Sequence, residues 1–301
     1  MEKTLTDYRE ELLEFVHERY VEDGRITTNV PSLNFFVSTA TTEFVNVMYK
    51  PCICISLQGS KTVGLNDIML EYNESKHLLS SIHIPAKVRI SRASKEEPFI
   101  SLSLTFTMEE IFDTLKDIKV AQIETNNQSK VGMCLCDNDN PELLEAVLRL
   151  AKLNGEPQKV KFLSSLIIKE ILYILISNKG GEFLKEYVME GSSTGQVVRA
   201  IMKIKKNYNE NISMSTLAKS LGLSESSMYH IFKKLTTMSP LQFQKTLRLE
   251  EAKQMLLMQN REVSDVAFEV GYESPSQFSR EYSRMFGLPP KSHIKQLREN
   301  I

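Results

Sequence analysis

The chain contains a second version of part of itself. "LAKSLGLSESSMYHIFKKL", residues 217–235, resembles "VAFEVGYESPSQFSREYSRM", residues 266–285. Ala218 aligns with Ala267, Gly222 with Gly271 and Leu223 with Tyr272. After one inserted residue, Ser224 aligns with Ser274, Met228 with Phe278 and Phe232 with Tyr282, and further on Ser239-Pro240 aligns with Pro289-Pro290. A duplication constrains the fold more than composition does, because both copies must satisfy one local plan. Here that plan is a short helix, a turn containing glycine, and a second helix opened by serine: the helix-turn-helix arrangement.

The second helix of each copy divides into two faces. Met228, Ile231, Phe232 and Leu235 recur at the i, i+3, i+4, i+7 spacing of a buried stripe, and Phe278, Tyr282 and Met285 do so in the second copy. Glu281 stands where the first copy has Ile231, so the second stripe is narrower. The other face carries Ser226, Tyr229, His230 and Lys233 in one copy, and Ser276, Ser279, Arg280 and Ser283, with Gln277 close by, in the other. Such side chains can exchange hydrogen bonds with base edges in a major groove. Ser274-Pro275-Ser276-Gln277 reads as an N-cap, a first-turn proline and a capping-box glutamine, which together fix where the helix starts. A recognition helix reads bases mainly with its N-terminal half, and its first amides favour phosphate. The expected base readers are Ser226, Tyr229, His230, Ser276, Gln277 and Arg280; the expected phosphate contacts are Ser224, Lys233, Lys234, Ser274, Ser279 and Arg284. Blander roles compete: a solvated His230, a Tyr229 packed on the helix edge, an Arg280 paired with Glu273 or Glu281. Residues 241–258 read as one helix between the copies, roughly 27 Å long at ~1.5 Å per residue. Two readers held that far apart suit successive major grooves, ~34 Å apart on one side of a duplex.

Charge agrees with this division. Net charge is −1, but from Gly191 to Ile301 there are 16 Lys+Arg against 10 Asp+Glu, +6, and the first 190 residues hold the other 21 against 28, −7. A basic module joined to an acidic one fits a nucleic-acid partner for the first.

Upstream the texture is different. Leu5, Tyr8, Leu12, Phe15, Val16 and Tyr20 are spaced as a helix, with Gly24 as a stop. From Leu33 to Thr107 come "CICISLQ", "DIMLEY", "KHLLSSIHI", "KVRISRA" and "FISLSLTFT", short β-branched runs separated by turn signals, which predict a small barrel or sandwich. Helices are expected afterwards: one capped by Thr107 and Glu110, one opened by Asn140-Pro141, and a long apolar one over 158–178 ended by Gly180-Gly181. "MEGSSTGQ", residues 189–196, is the linker candidate.

With these residues in view, 197–298 resembles the double helix-turn-helix domain of AraC-type transcriptional regulators. "VAFEVGYESPSQFSREYSRMFGLPP" is a specific match to that family's C-terminal signature, and Arg248, Ala252 and Leu256 sit where the family has its linker-helix pattern. "YKPCICISLQGSKTV", "LLSSIHIPAKVRI" and "PFISLSLTF" resemble the N-terminal domain of one subgroup. The resemblance implies an α+β chain: a cupin-like β-barrel with packing helices over 1–190, then an all-α DNA-binding domain over 191–301. It implies a bacterial, sequence-specific regulator of transcription that binds double-stranded DNA and is controlled through the N-terminal domain. A small-molecule effector, RNA polymerase and a second copy of the chain are the other expected partners.

Other chemistries find little support. No apolar run reaches the ~18 residues of a membrane span, and the start is unlike a secretory signal, so a cytoplasmic location is expected. Phosphate-binding glycine loops and nucleophile motifs are missing. Cys52/Cys54 and Cys134/Cys136 invite a metal or redox reading, but one-residue spacing is not that of zinc motifs, and cysteine also serves as a small core residue. A metal-dependent cupin enzyme needs clustered histidines; only His17, His77 and His83 precede the linker. No catalytic residue, metal or cofactor is therefore expected. Arg89 and Arg92 are candidates for an anionic effector, with an exposed strand face as the alternative. A cytosolic sensor or interaction protein without promoter control is the runner-up function.

Overall fold

A computed structural model describes residues 3–19, 22–30, 32–65, 67–118, 132–178, 181, 184, 193–258 and 261–299. The chain divides into two compact units, Met1–Met189 and Glu190–Ile301.

The first unit is α+β. Helix α1 (Leu5–His17) starts at a full capping box between Thr4 and Asp7. It stops well before Gly24, which opens strand β1 (Gly24–Thr27) at φ +136°. Nine more strands follow: β2 (Leu33–Ser38), β3 (Val45–Tyr49), β4 (Cys52–Gln58), β5 (Ser60–Leu65), β6 (Ile68–Tyr72), β7 (Lys76–Ser80), β8 (Ile84–Arg92), β9 (Phe99–Thr105) and β10 (Met133–Asp137). The expected barrel takes the form of two antiparallel sheets, ordered β1-β2-β9-β4-β7-β10 and β3-β8-β5-β6. The run "KHLLSSIHI" is divided between β7 and β8, because Ser80 turns its hydroxyl onto the Ile82 carbonyl and ends the ladder. Strand β10 lies where only helices are expected. Its pairing with β7, Cys134 against Leu79 and Cys136 against His77, closes over a long separation in sequence.

Helices α2 (Met108–Asp117), α3 (Pro141–Ala151) and α4 (Pro157–Ser177) complete the unit. Thr107 and Glu110 form the expected capping box, and Asn140 caps α3 ahead of Pro141. Helix α4 ends at Ser177; Gly180, its expected stop, lies outside the described residues. Alternation gives the first sheet a helix-facing side with Phe35, Ile53, Ile55, Leu79 and Leu102 in register, all buried; the Phe35 and Phe15 rings stand 5.4 Å apart. Its other side, with Phe36, Phe99 and Cys54, faces the second sheet, whose Lys61 lies against both rings.

The second unit is all helix among the described residues: α5 (Ser193–Lys206), α6 (Met214–Ser220), α7 (Glu225–Thr236), α8 (Pro240–Met258), α9 (Val263–Glu269), α10 (Pro275–Phe286) and α11 (Pro290–Glu299). The last residues of the linker candidate, 193–196, are thus the first turn of α5, and residues 189–192 lie outside the described ones. The duplication is visible bond by bond. Leu223 N–H donates to the Ala218 carbonyl and Tyr272 N–H to that of Ala267, both at 3.0 Å. Gly222 and Gly271 make the two turns at φ +70° and +91°.

Candidate nucleic-acid interface

Helices α7 and α10 start alike. The Ser224 hydroxyl accepts from Ser227 N–H at 3.1 Å, and the Ser274 hydroxyl from Gln277 N–H at 3.4 Å. Each cap satisfies one of the first-turn donors and leaves others pointing out along the axis. The expected capping box at Ser274 is only half formed. Gln277 turns its amide to the Glu281 carboxylate at 3.1 Å instead of back to the cap, because a charged acceptor one turn along is the stronger partner.

Below these starts lie the anchors. Met228, Phe232 and Leu235 are buried in copy one, with Ile231 at its edge; Phe278 and Tyr282 are buried in copy two, with Met285 at its edge. Phe232 meets Phe243 of α8 edge-on at 5.4 Å. His293 of α11 holds the corresponding place in copy two, where its Nδ1 shares a 3.0 Å hydrogen bond with the Tyr282 hydroxyl. Burial, then the Lys253 charge, holds this imidazole below its ordinary pKa.

The outer faces remain free of the core. Ser226, His230, Lys233 and Lys234 are exposed on α7, and Ser276, Gln277, Arg280 and Arg284 on α10; Tyr229 and Ser279 are partly buried. Among the described residues Arg280 has no ion pair: Glu281, its expected competitor, is engaged by Lys245, Gln277 and the Tyr272 hydroxyl. Ser226 shares a 3.2 Å hydrogen bond with Ser224, and the Ser279 carbonyl accepts from Ser283.

Arg248 is the residue whose importance spacing alone understated. From α8 its guanidinium donates to three backbone carbonyls: Nε to Tyr208 at 2.7 Å, Nη2 to Glu210 at 2.9 Å, and Nη1 to Gly271 at 2.7 Å. Tyr208 and Glu210 precede the first motif and Gly271 turns the second. Gln244, one turn earlier, gives its amide to Tyr208 and Glu210 as well. One fork of donors therefore ties both motifs to the helix between them.

Residues 29–183 match the family described as "AraC-type transcriptional regulator N-terminus". The chain belongs to the AraC-type transcriptional regulators. Residues 217–296 of this AraC-type chain match a helix-turn-helix domain. It is 27% identical over 126 residues to the lactose operon transcription activator of Staphylococcus xylosus, covering 42% of this chain and 45% of that one. It is 32% identical over 139 residues to the raffinose operon regulatory protein RafR of Pediococcus pentosaceus, covering 44% and 50%. It thus spans about half the length of these curated relatives. In fold, the AraC-type chain is similar to apo ToxT of Vibrio cholerae, with TM-score 0.63 and 11% identity over 91% of this chain and 98% of that one. The same holds for ToxT with an unsaturated fatty acid bound, TM-score 0.61 and 10% identity over 91% and 97%.

The AraC-type N-terminal unit does not bring Arg89 and Arg92 to its interior. Both are exposed, Arg89 over the Phe44 ring at 4.9 Å and Arg92 paired with Glu74. The exposed-face alternative holds: Arg89 has the outer parity of β8, opposite Val88 and Ile90, and Arg92 stands at the strand's end, beyond the register shift at Ser60/Lys61. Each cysteine pair brings its sulfurs to 3.8 Å, and all four are free thiols. No group of three metal-ligating side chains exists among the described residues, and no helix among them is long and apolar enough to cross a membrane.

Proposed function

We propose that this chain is a cytoplasmic, sequence-specific regulator of transcription whose residues 191–301 bind double-stranded DNA while residues 1–190 control that binding. One observation carries the reading: two copies of one helix-turn-helix plan present exposed polar outer faces and are tied through Arg248 to the helix between them. Ser226, Tyr229, His230, Ser276, Gln277 and Arg280 read bases. Ser224, Lys233, Lys234, Ser274, Ser279 and Arg284 hold phosphates, giving affinity and salt dependence more than specificity. Gln277 reads with its carbonyl oxygen and its second amide N–H, since one N–H is engaged by Glu281. The chain acts by binding and not by catalysis.

The N-terminal unit takes a small-molecule effector, a role supported by the fatty-acid-bound structure of the fold relative ToxT. RNA polymerase is the protein partner at the promoter. A second copy is a further partner: Phe162, Leu166 and Tyr173 are 69%, 62% and 54% exposed along one side of α4, an apolar stripe suited to self-association.

Binding of the full chain to its own upstream DNA and to scrambled DNA of equal length, as a function of salt, tests the proposal. The expected result is a large ratio of specific to non-specific affinity at physiological salt and two footprinted half-sites about one helical turn apart. Equal affinity for both DNAs, with and without candidate effectors, defeats it.

A further inference from the structure

We propose that Cys134 and Cys136 form a dithiol that hydrogen peroxide oxidises to a disulfide, with Cys136 as the attacking sulfur, Cys134 as the resolving one and His77 as the group that holds the proton between steps. Strand β10 sets the two thiols two residues apart, so both point to one side of the sheet, and their sulfurs stand 3.8 Å apart. The ladder puts His77 of β7 across from Cys136, on that same side. His77 is 4% exposed, and neither of its ring nitrogens has a hydrogen bond of normal geometry among the described residues. A buried imidazole without such partners is costly to keep, and the thiol beside it is a group with which it can exchange a proton. The Cys134 thiol, and then His77, hold Cys136 below the ordinary thiol value, at about 5, against burial and the Asp137 charge. Cys134 is itself pushed up, first by Cys136 and then by burial. The pair thus keeps one thiolate and one thiol, the state in which one sulfur attacks and the other resolves.

The other cysteine pair has the same 3.8 Å spacing without the rest of the site. Cys52 and Cys54 are 4% and 6% exposed, and β4 is paired on both sides, by β7 and by β9. Cys134 and Cys136 are half-buried, and β10 stands at the edge of its sheet, paired through β7. The difference matters because residues two apart in an extended strand are separated by ~6.8 Å, the upper limit for disulfide-bonded Cα atoms. Bridging the sulfurs must therefore bend the strand, which an edge strand can do more easily than one laddered on both sides. The bend draws Leu135 from its position against Leu78, so oxidation loosens β10 from the sheet. A disulfide closed against such resistance is readily reduced again, which makes the modification reversible.

The atoms balance with the peroxide as oxidant. The Cys136 thiolate, its proton held on His77, attacks one peroxide oxygen; the O–O bond breaks, and the departing hydroxide takes the His77 proton. Cys136 is left as a sulfenic acid. The Cys134 sulfur then attacks the Cys136 sulfur, the S–O bond breaks, and the Cys134 proton leaves with the hydroxide as water. Two thiols and one peroxide give one disulfide and two waters. The site goes beyond the regulator reading and does not depend on it.

Peptide mapping by mass spectrometry of the full chain, reduced and then given hydrogen peroxide, tests it, alongside Cys134→Ser, Cys136→Ser and a Cys54→Ala control. In the wild type and in Cys54→Ala, the peptide carrying Cys134 and Cys136 should lose about 2 Da, the two thiol hydrogens, and regain them with dithiothreitol. Cys134→Ser should stop at a sulfenic acid on Cys136 that dimedone captures, and Cys136→Ser should oxidise at least tenfold more slowly. No disulfide in that peptide, a bridge between Cys52 and Cys54 in its place, or an unchanged rate for Cys136→Ser overturns the site. The pH dependence of iodoacetamide labelling at Cys136 tests His77. The midpoint should lie near about 5 in the wild type and higher in His77→Gln. A midpoint that the substitution leaves in place overturns the role of His77.

Discussion

At the scale of single residues, Arg280 and Gly271 show two ways in which a position matters. Arg280 is exposed and has no ion pair among the described residues, so its substitution should leave stability unchanged. Arg280→Ala is expected to cost ~1–3 kcal/mol on the specific site and to relax preference at one base position. Competition binding against a panel of single-base operator variants measures both, and unaltered specificity takes Arg280 out of the reader set. Gly271 is the opposite case. Its φ is +91°, and a Cβ there would come within 2.2 Å of the Asn209 carbonyl oxygen and 2.9 Å of the Arg248 guanidinium carbon. Gly287 has a similar φ, +82°, but open space around it. Gly271→Ala should therefore displace the Arg248 fork and destabilise far more than Gly287→Ala, which meets only the ~1 kcal/mol backbone cost of the left-handed region. Chemical denaturation of both variants ranks them; equal losses would mean that Arg248 does not depend on that close approach.

At the scale of elements, the two copies differ most where the helix after each motif packs back. Copy one joins Phe232 to Phe243; copy two replaces the ring pair with Tyr282 and His293. His293 is held below its ordinary pKa, so the unfolded chain takes up a proton near pH 6.5 that the folded chain takes up only at lower pH. Its contribution to stability is full above about pH 6.5 and is lost as pH falls from there toward the lowered folded value. His293→Phe, which copies the first motif, should remove that part of the slope. Thermal unfolding at several pH values between 7.5 and 5.0 checks it: the wild type should lose more stability than the variant across that interval.

For the whole molecule, the governing feature is the charge split. Sixteen cations against ten anions from Gly191 onward are joined to a first part with 28 anions against 21 cations. Freed of that acidic part, a 191–301 fragment should bind scrambled DNA more tightly than the full chain at low salt and lose that excess as salt rises, because screening removes long-range charge effects first. Identical salt curves for fragment and full chain would show that the acidic part does not influence DNA binding electrostatically.

The local elements were legible in the residues. The internal repeat placed both turns, and the hydrogen bonds of Leu223 and Tyr272 follow its register. Serine caps, first-turn prolines and apolar stripes signal helix starts and buried faces through interactions a few residues long, so sequence alone determined α7, α8 and α10 and which of their sides is outward. Strand runs such as Cys52–Gln58 were legible for a similar reason, since a short apolar run bounded by turn residues is a local signal; it is buried on both faces. What tertiary structure decided was everything that depends on a distant partner. Strand β10 exists because β7 offers it a ladder. Gln277 turned from its cap because Glu281 and Lys245 converge beside it, and Arg248 became a three-carbonyl tie because two distant turns meet at α8. Arg89 faces out and Lys61 faces in although both are cations on strands, because inward and outward are set by which side of a strand the opposing sheet covers. Local pattern fixes the parity of a side chain along its strand; only the packing of the two sheets says which parity is the interior.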